Sequence, residues 1–403
     1  MPEPRRVTHA ARHNGYNRQL VKGHRLLVPA VAAVALIAPF ALGFELRTQS
    51  LAEPKPPPPP SSLRSQVLDD LEAYYYRPLP ARVYRARNVK AMLLRLGDPY
   101  TRYLPPVAYT QLKAAEAGTY PGVGLALHRA HRGLLVTASI PGLPGRAAGI
   151  RPGDVITTID GASLASLSYR RALDLIGGRV GSAMHLEILR TGRRDPMSLT
   201  LVRRPITLPY IASRVIRSGG LKVCMIRLLS FPATAAVKVR EIAARAARKH
   251  EAVILDLRGN PGGLLSQAVA VVRVFADKGV VVTTQGRHEP AREFVADGTS
   301  VGPLRIAVLI NGGTASAAEV VAGALRADAG AILIGRRSYG KGTVQAVEPL
   351  AGGGALKLTV AGFRLPGGTV VEDRGVAPDK YVMSRPGPTD RVLAAALRAL
   401  SHR

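Results

Sequence analysis

Three side chains in the C-terminal third of this 403-residue chain have the types and order needed for acyl-transfer chemistry: Ser316, Lys341 and Gln345. The apolar run 306–310 reads as a buried strand that breaks at Asn311-Gly312-Gly313, and an Ala/Val-rich helical segment begins around Ser316. A serine on a strand-to-helix turn exposes its hydroxyl. The N–H of the next residue, Ala317, then points out of the first helical turn, so one turn offers a nucleophile and half of an oxyanion hole. The same letters also spell a helix capping box, Ser316-x-x-Glu319, and on this stretch alone a cap is the commoner meaning. A serine nucleophile needs a base.

The candidate base is Lys341, in Gly335-Arg-Arg-Ser-Tyr-Gly340-Lys341-Gly342-Thr343-Val344-Gln345. Gly335-x-x-x-x-Gly340-Lys341 nearly spells a phosphate-binding loop. That loop needs Ser or Thr directly after the lysine and then a helix, whereas Gly342 follows here and 343–347 alternates like a strand. On a strand, Lys341, Thr343 and Gln345 project from one face, which brings an amine beside an amide. A buried lysine can lose enough basicity to act as a neutral base near pH 7. Standing alone between glycines, Lys341 reads equally well as a surface residue.

The elements that position these groups follow from composition and periodicity. Lys and Arg number 56 against 27 Asp and Glu, a formal charge of +29. The excess is spread along an Ala/Gly/Pro-rich background without a helix-turn-helix, zinc-finger or aromatic RNA-binding signature, so no nucleic-acid partner is expected. The single Cys224 excludes an intrachain disulfide and a cysteine metal cluster, and its apolar strand context marks a core residue. Residues 1–25 form a basic tail, and 26–44 run 19 residues without a charge. As a helix that run spans roughly 28 Å, close to a hydrocarbon core, so it is read as a single-pass anchor with the N-terminus cytoplasmic and the remainder outside. The rival is a cleaved signal peptide, given the small-x-small Ala41-Leu-Gly43. A proline-rich spacer occupies 45–62.

Beyond the spacer, 63–76 and 82–96 have helical apolar spacing and lead into the turn-rich Gly97-Asp-Pro-Tyr-Thr-Arg-Tyr-Leu-Pro105. Short strands follow at 123–128, 134–140, 155–159 and 184–189, with a helix at 169–176. From about 208 the pattern is α/β: a strand at 252–257 ends in Arg258-Gly-Asn-Pro-Gly-Gly263 and a helix at 264–276 follows.

The 117–205 segment resembles a PDZ domain: Ala147-Ala-Gly-Ile-Arg-Pro-Gly-Asp-Val-Ile-Thr-Thr-Ile-Asp-Gly161 matches that family's most recognisable stretch. Gly122-Val123-Gly124-Leu125 stands at its carboxylate-binding loop. Loop N–H groups there would hold a chain-terminal carboxylate while the peptide adds a strand. From about 63 to 382 the chain resembles the carboxyl-terminal-processing (tail-specific) proteases. The resemblance rests on Asn311-x-x-Thr-Ala-Ser316-Ala-Ala-Glu319, Gly340-Lys341-Gly-Thr-Val-Gln345, the Gly97 knot, Arg258-Gly-Asn-Pro-Gly-Gly263, Leu356-Lys-Leu-Thr-Val-Ala and Gly375-Val-Ala-Pro-Asp379.

The resemblance implies Ser316 as nucleophile, Lys341 as its base and Gln345 as the group orienting the lysine. The oxyanion hole would be the N–H groups of Ala317 and of a glycine in the Asn-Pro-Gly-Gly turn, Gly262. It implies no metal and no organic cofactor. Its partners would be protein or peptide substrates with a free apolar C-terminus, and a homo-oligomer or an adaptor partner is compatible with it. The expected architecture is an α/β protease domain at 206–385 with a crotonase/ClpP-like sheet-and-helix core. It adds a β-rich PDZ domain at 117–205, a small helical unit at 63–116, a transmembrane helix at 26–44 and a tail at 386–403. A membrane-anchored PDZ adaptor with an inactive protease domain is the rival. The chain departs from the family pattern in having Ala318 where a serine is frequent and Gly177-Gly178 where Arg-Gly is common after the PDZ helix.

Overall fold

The computed structural model describes residues 62–401 except 208, 250, 289 and 384–388. The basic tail, the apolar run 26–44 and nearly all of the spacer lie outside the described residues. Among the described residues no helix is long and apolar enough to cross a membrane.

The central sheet has six strands in the order Ile211–Ser218, Leu221–Leu228, Ala252–Asp256, Ile306–Ile310, Ile332–Gly335 and Lys380–Tyr381. The first two are antiparallel and every later pairing is parallel. Ala252–Asp256 and Ile306–Ile310 are buried at every position, as parallel strands covered on both faces must be. One face packs on the helices Ala235–Arg248, Leu265–Phe275 and Ala317–Asp328, with Phe231, Val272, Val320 and Leu325 in the shared core. Cys224 belongs to that core, as its strand context implies.

The opposite face is covered by a helix, Arg391–Ser401, whose Val392, Ala395, Ala396 and Leu400 pack on Val223, Ile254, Leu309 and Ile334. The expected C-terminal tail is therefore an integral layer: an apolar stripe at i, i+3, i+4 is buried against the sheet. The register Ile310↔Gly335 and Asp256↔Leu309 brings the loops after Asp256, Ile310 and Gly335 to one end of the sheet. The carboxyl ends of parallel strands are where such sheets build their sites.

A second sheet is organised on one long strand, Ala355–Leu365, which pairs with Thr343–Pro349, Val280–Gln285, Arg102–Leu104 and Thr369–Val370. Helix Leu63–Tyr74 and helix Val89–Leu96 bury Val67, Leu71, Met92 and Leu96 against Leu356 and Leu358 of this strand. The segment expected as one helix over 82–96 is two, Ala81–Tyr84 and Val89–Leu96, because Asn88 leaves helical geometry and its Oδ1 accepts the Ala91 N–H at 2.9 Å. The long strand also touches the helix that begins beside Ser316. A Cβ on Gly323, at that helix's centre, would come within 2.4 Å of Leu365 Cδ1, so a larger residue there would force the Leu365 side chain to shift.

The β-rich segment forms a third sheet, ordered Leu125–Ala130, Gly133–Ser139, Val155–Ile159, Ala183–Leu189 and Met197–Val202, closed by helix Tyr169–Ile176. Its core holds Leu134, Ile150, Ile156, Leu164 and Met184. Leu125–Ala130 is an edge strand. A two-stranded ribbon, Tyr120–Gly122 with Arg204–Ile206, stands where the chain enters and leaves this sheet.

Candidate active site

The strand Ile306–Ile310 delivers the chain to Asn311, and two side chains fix the turn that follows. Asn311 Oδ1 accepts the N–H groups of Gly259 (2.9 Å) and Gly313 (3.0 Å). Thr314 Oγ1 donates to the Leu257 carbonyl (2.8 Å) and accepts from the Asn311 N–H (3.0 Å). The turn is thereby stapled to the one after Asp256. Ser316 sits at its apex with φ +55° and ψ −120°, a conformation costly for a residue with a side chain and characteristic of functional turns. The helix Ala317–Asp328 starts at the next residue. Its first N–H, that of Ala317, has no partner among the described residues, since the first donors of a helix lack an intrahelical acceptor.

The expected capping box forms, and Glu319 does more than cap. Its carboxylate is fully buried and accepts four hydrogen bonds: from the N–H groups of Ser316 (2.7 Å), Gly340 (2.8 Å) and Lys341 (3.0 Å) and from Ser338 Oγ (2.5 Å). One side chain thus ties the serine turn to the lysine loop. Burial raises its pKa above the ordinary carboxylate range, with the four donors acting in opposition. No pattern in the sequence marked this role.

Lys341 lies on the loop before the strand Thr343–Pro349, not on the strand as expected, and a register shift between Val344 and Gln345 interrupts the alternation. The expected amine–amide contact nevertheless forms: the Lys341 ammonium donates to Gln345 Oε1, and to the Thr343 carbonyl at 3.4 Å. Gln345 is itself oriented, its Nε2 donating to Thr343 Oγ1 (3.0 Å) and Thr359 Oγ1 (3.4 Å). The Gly97–Pro105 knot supports this group from behind. Thr101 Oγ1 accepts the Thr359 N–H at 3.0 Å, and the Tyr100 ring lies 5.0 Å from Lys341 Nζ. The Lys341 pKa is pulled down to about 8, first by burial and then by the charge of Lys357, against the opposing pull of Glu372, Glu319 and Asp98.

Ser316, Ala317, Lys341, Thr343 and Gln345 all line one cleft of about 300 Å³, walled further by Phe231, Leu265 and Phe363. Lys341 makes no hydrogen bond to Ser316 in this arrangement. The Asn-Pro-Gly-Gly turn abuts the serine: a Cβ on Gly262, whose φ is +101°, would lie 3.0 Å from Ser316 Cβ and 3.1 Å from Ala317 N. The Gly262 N–H, however, donates to the buried Asn260 Oδ1 at 2.8 Å. The N–H of Gly263, which lines the cleft, has no partner among the described residues. The N–H expected as the second donor, that of Gly262, is thus engaged by the Asn260 side chain, and the unengaged N–H of this turn is that of Gly263.

The Gly122–Leu125 loop lies apart, running from the two-stranded ribbon into the edge strand of the third sheet. Val123 is buried and its carbonyl accepts the Gly145 N–H at 2.7 Å; Gly124, at φ +75°, fits against Leu143 where a Cβ would clash. Tyr169, from the neighbouring helix, donates its hydroxyl to the Leu127 carbonyl at 2.8 Å.

Residues 222–382 match the model of peptidase family S41, and residues 135–190 match a PDZ domain; the latter match begins beyond the Gly122–Leu125 loop. The chain is 34% identical over 315 residues to the carboxyl-terminal-processing protease of Synechocystis, covering 77% of this chain and 74% of the relative. It is 34% identical over 309 residues to the carboxy-terminal-processing protease of Bartonella bacilliformis, covering 74% and 69%. Among solved structures it resembles a photosystem II D1 C-terminal processing protease, with TM-score 0.54 and 27% identity over 84% of this chain and 96% of that one.

Proposed function

The chain belongs to the carboxyl-terminal-processing proteases, peptidase family S41, and on that premise we propose that it is a serine endopeptidase working through a Ser316–Lys341 dyad. Neutral Lys341 accepts the Ser316 proton as Oγ attacks the scissile carbonyl, with the Ala317 and Gly263 N–H groups receiving the oxyanion. Lys341 returns the proton to the leaving amine, and a water that it deprotonates then resolves the acyl-enzyme. Gln345 Oε1 steadies the ammonium between these steps, and Lys341 turns from it to the serine when substrate fills the cleft. Catalytic hydrogen bonds commonly tighten only in that complex.

The observation that carries this reading is the convergence of a strained serine, a helix-start N–H without a partner and a lysine of lowered basicity on one cleft. Turnover of an unfolded protein by wild type, lost in Ser316→Ala, is the expected result. Equal turnover by the two would overturn it.

The remaining parts of the proposal concern delivery. We assign 63–116 to a helical support for Gln345, 117–205 to a PDZ reader of substrate tails and 206–385 to the protease. Leu125–Ala130 has the open edge on which a peptide could add as a strand, once the Tyr169 hydroxyl leaves Leu127. Residues 26–44 would hold the enzyme at the membrane with its catalytic part outside the cytoplasm. Retention in the membrane fraction through a carbonate wash is the expected outcome, and a soluble mature form beginning near residue 44 the contrary one.

A further inference from the structure

The cleft contains a second lysine that the dyad does not use. Lys357 lies on the long strand Ala355–Leu365, between Val347 of one neighbouring strand and Arg102 of the other. It is half-buried and lines the same cleft as Ser316 and Lys341. Its ammonium makes no hydrogen bond and no ion pair among the described residues. Burial, followed by the charge of Arg102, lowers its pKa, and Glu116 is the negative group that opposes this. Glu116, on the helix Pro106–Glu116, also faces the cleft, and its carboxylate has no hydrogen-bond partner among the described residues. An ammonium withdrawn from water with only a distant carboxylate and no hydrogen-bonded anion is incompletely compensated, and a charge-assisted hydrogen bond donated to an arriving anion would relieve it.

The strand relates Lys357 to the catalytic group. Lys357 and Thr359 are i, i+2 on one strand and so share a face, about 7 Å apart. Thr359 Oγ1 accepts from Gln345 Nε2, and Gln345 holds Lys341. Lys357 therefore stands one strand repeat beyond the residue that orients Gln345, and close enough to Lys341 for its charge to be felt there.

We propose that Lys357 is a specificity-determining residue that binds an anionic group of the substrate, an acidic side chain or a chain-terminal carboxylate, in the cleft beside the scissile bond. The inference deepens the protease reading and rests on it. Glu116 competes for the same ammonium and tempers the preference.

The test uses quenched-fluorescence peptides that carry Asp or Asn at each of the positions flanking the scissile bond, and further pairs with a free or amidated C-terminus at successive lengths beyond it. Wild type should favour the anionic member at one position by about tenfold in kcat/KM, mainly through KM. The ratio should collapse toward unity in Lys357→Gln, invert in Lys357→Glu and grow in Glu116→Gln. A gain from Asp identifies a side-chain subsite, and a gain from the free terminus identifies a tail-end subsite.

Ser316-dependent cleavage with no anionic preference at any position, or a preference unchanged in Lys357→Gln, overturns the inference and leaves the protease reading intact. Absence of Ser316-dependent cleavage overturns the protease reading instead. Fluorescence anisotropy of the same peptide pairs, bound to wild type and to Lys357→Gln, then decides Lys357. Tighter binding of the anionic member only when Lys357 is present supports it, and equal affinities reject it.

Discussion

Turnover should depend on pH as the deprotonation of one buried amine. Lys341 starts from an ordinary value of 10.5 and is held at about 8. A general base works only when neutral, so the neutral fraction sets the rate. At pH 7 that fraction is about 9% for a pKa near 8 against about 0.03% for a free lysine, a gain of about 300-fold from the site alone. Below the pKa, kcat/KM should rise about tenfold per pH unit, and above about pH 9 it should level off. The sign follows from the cause: burial disfavours the charged form, so the base is freed by raising pH, never by lowering it.

The assay is steady-state kcat/KM from pH 6 to 10 on a peptide without ionisable side chains, with far-UV circular dichroism recorded at each pH to exclude unfolding. Lys357 adds positive charge beside Lys341, so Lys357→Gln should move the midpoint upward. A flat profile between pH 6 and 9 would refute the reasoning. So would a midpoint near 6.5 that disappears when a single histidine is replaced.

Other perturbations separate orientation from chemistry. Gln345→Ala frees the lysine from its acceptor without removing the base, so kcat should fall about ten- to a hundredfold in the same turnover assay, and not to the Ser316→Ala level. Glu319→Gln places an amide N–H against four donors. At least one buried donor loses its partner at about 1–3 kcal/mol, so a lowered Tm in calorimetry should accompany a larger activity loss than Gln345→Ala gives. On the PDZ sheet, a peptide with a free apolar C-terminus should bind more tightly than its amidated twin by isothermal titration. Equal affinities would remove the terminal carboxylate from the account.

What the sequence made legible follows from locality. The serine turn could be read because a buried strand, an Asn-Gly-Gly break and a helix start are consecutive, and Ser316 stands where that order places it. The PDZ helix was equally legible from its spacing and spans Tyr169–Ile176 as expected. What escaped depends on contacts between distant segments. Glu319 reads as a cap because its cap partner is three residues away, while its other three donors lie 19 to 22 residues on.

The choice between Gly262 and Gly263 depends on where the Asn260 side chain turns, which spacing cannot say. The helix Pro106–Glu116 went unread because it buries no residue fully and so has no strong apolar stripe. The C-terminal helix reads as a tail in sequence because half of its buried stripe is alanine, Ala395 and Ala396, and the stripe gains meaning only against the sheet. Lys341 and Gln345 meet despite a misread backbone: a long amine reaches across the register shift that breaks the strand alternation.

The central claim is that Lys341 is the base, and one substitution tests it most directly. Lys341→Arg keeps a positive charge of similar reach but has no accessible neutral form near pH 7. On protein verified as folded by circular dichroism, its turnover of an unfolded substrate should be as low as that of Ser316→Ala at every pH from 6 to 10. Near-normal turnover by Lys341→Arg would contradict the dyad and place the base elsewhere.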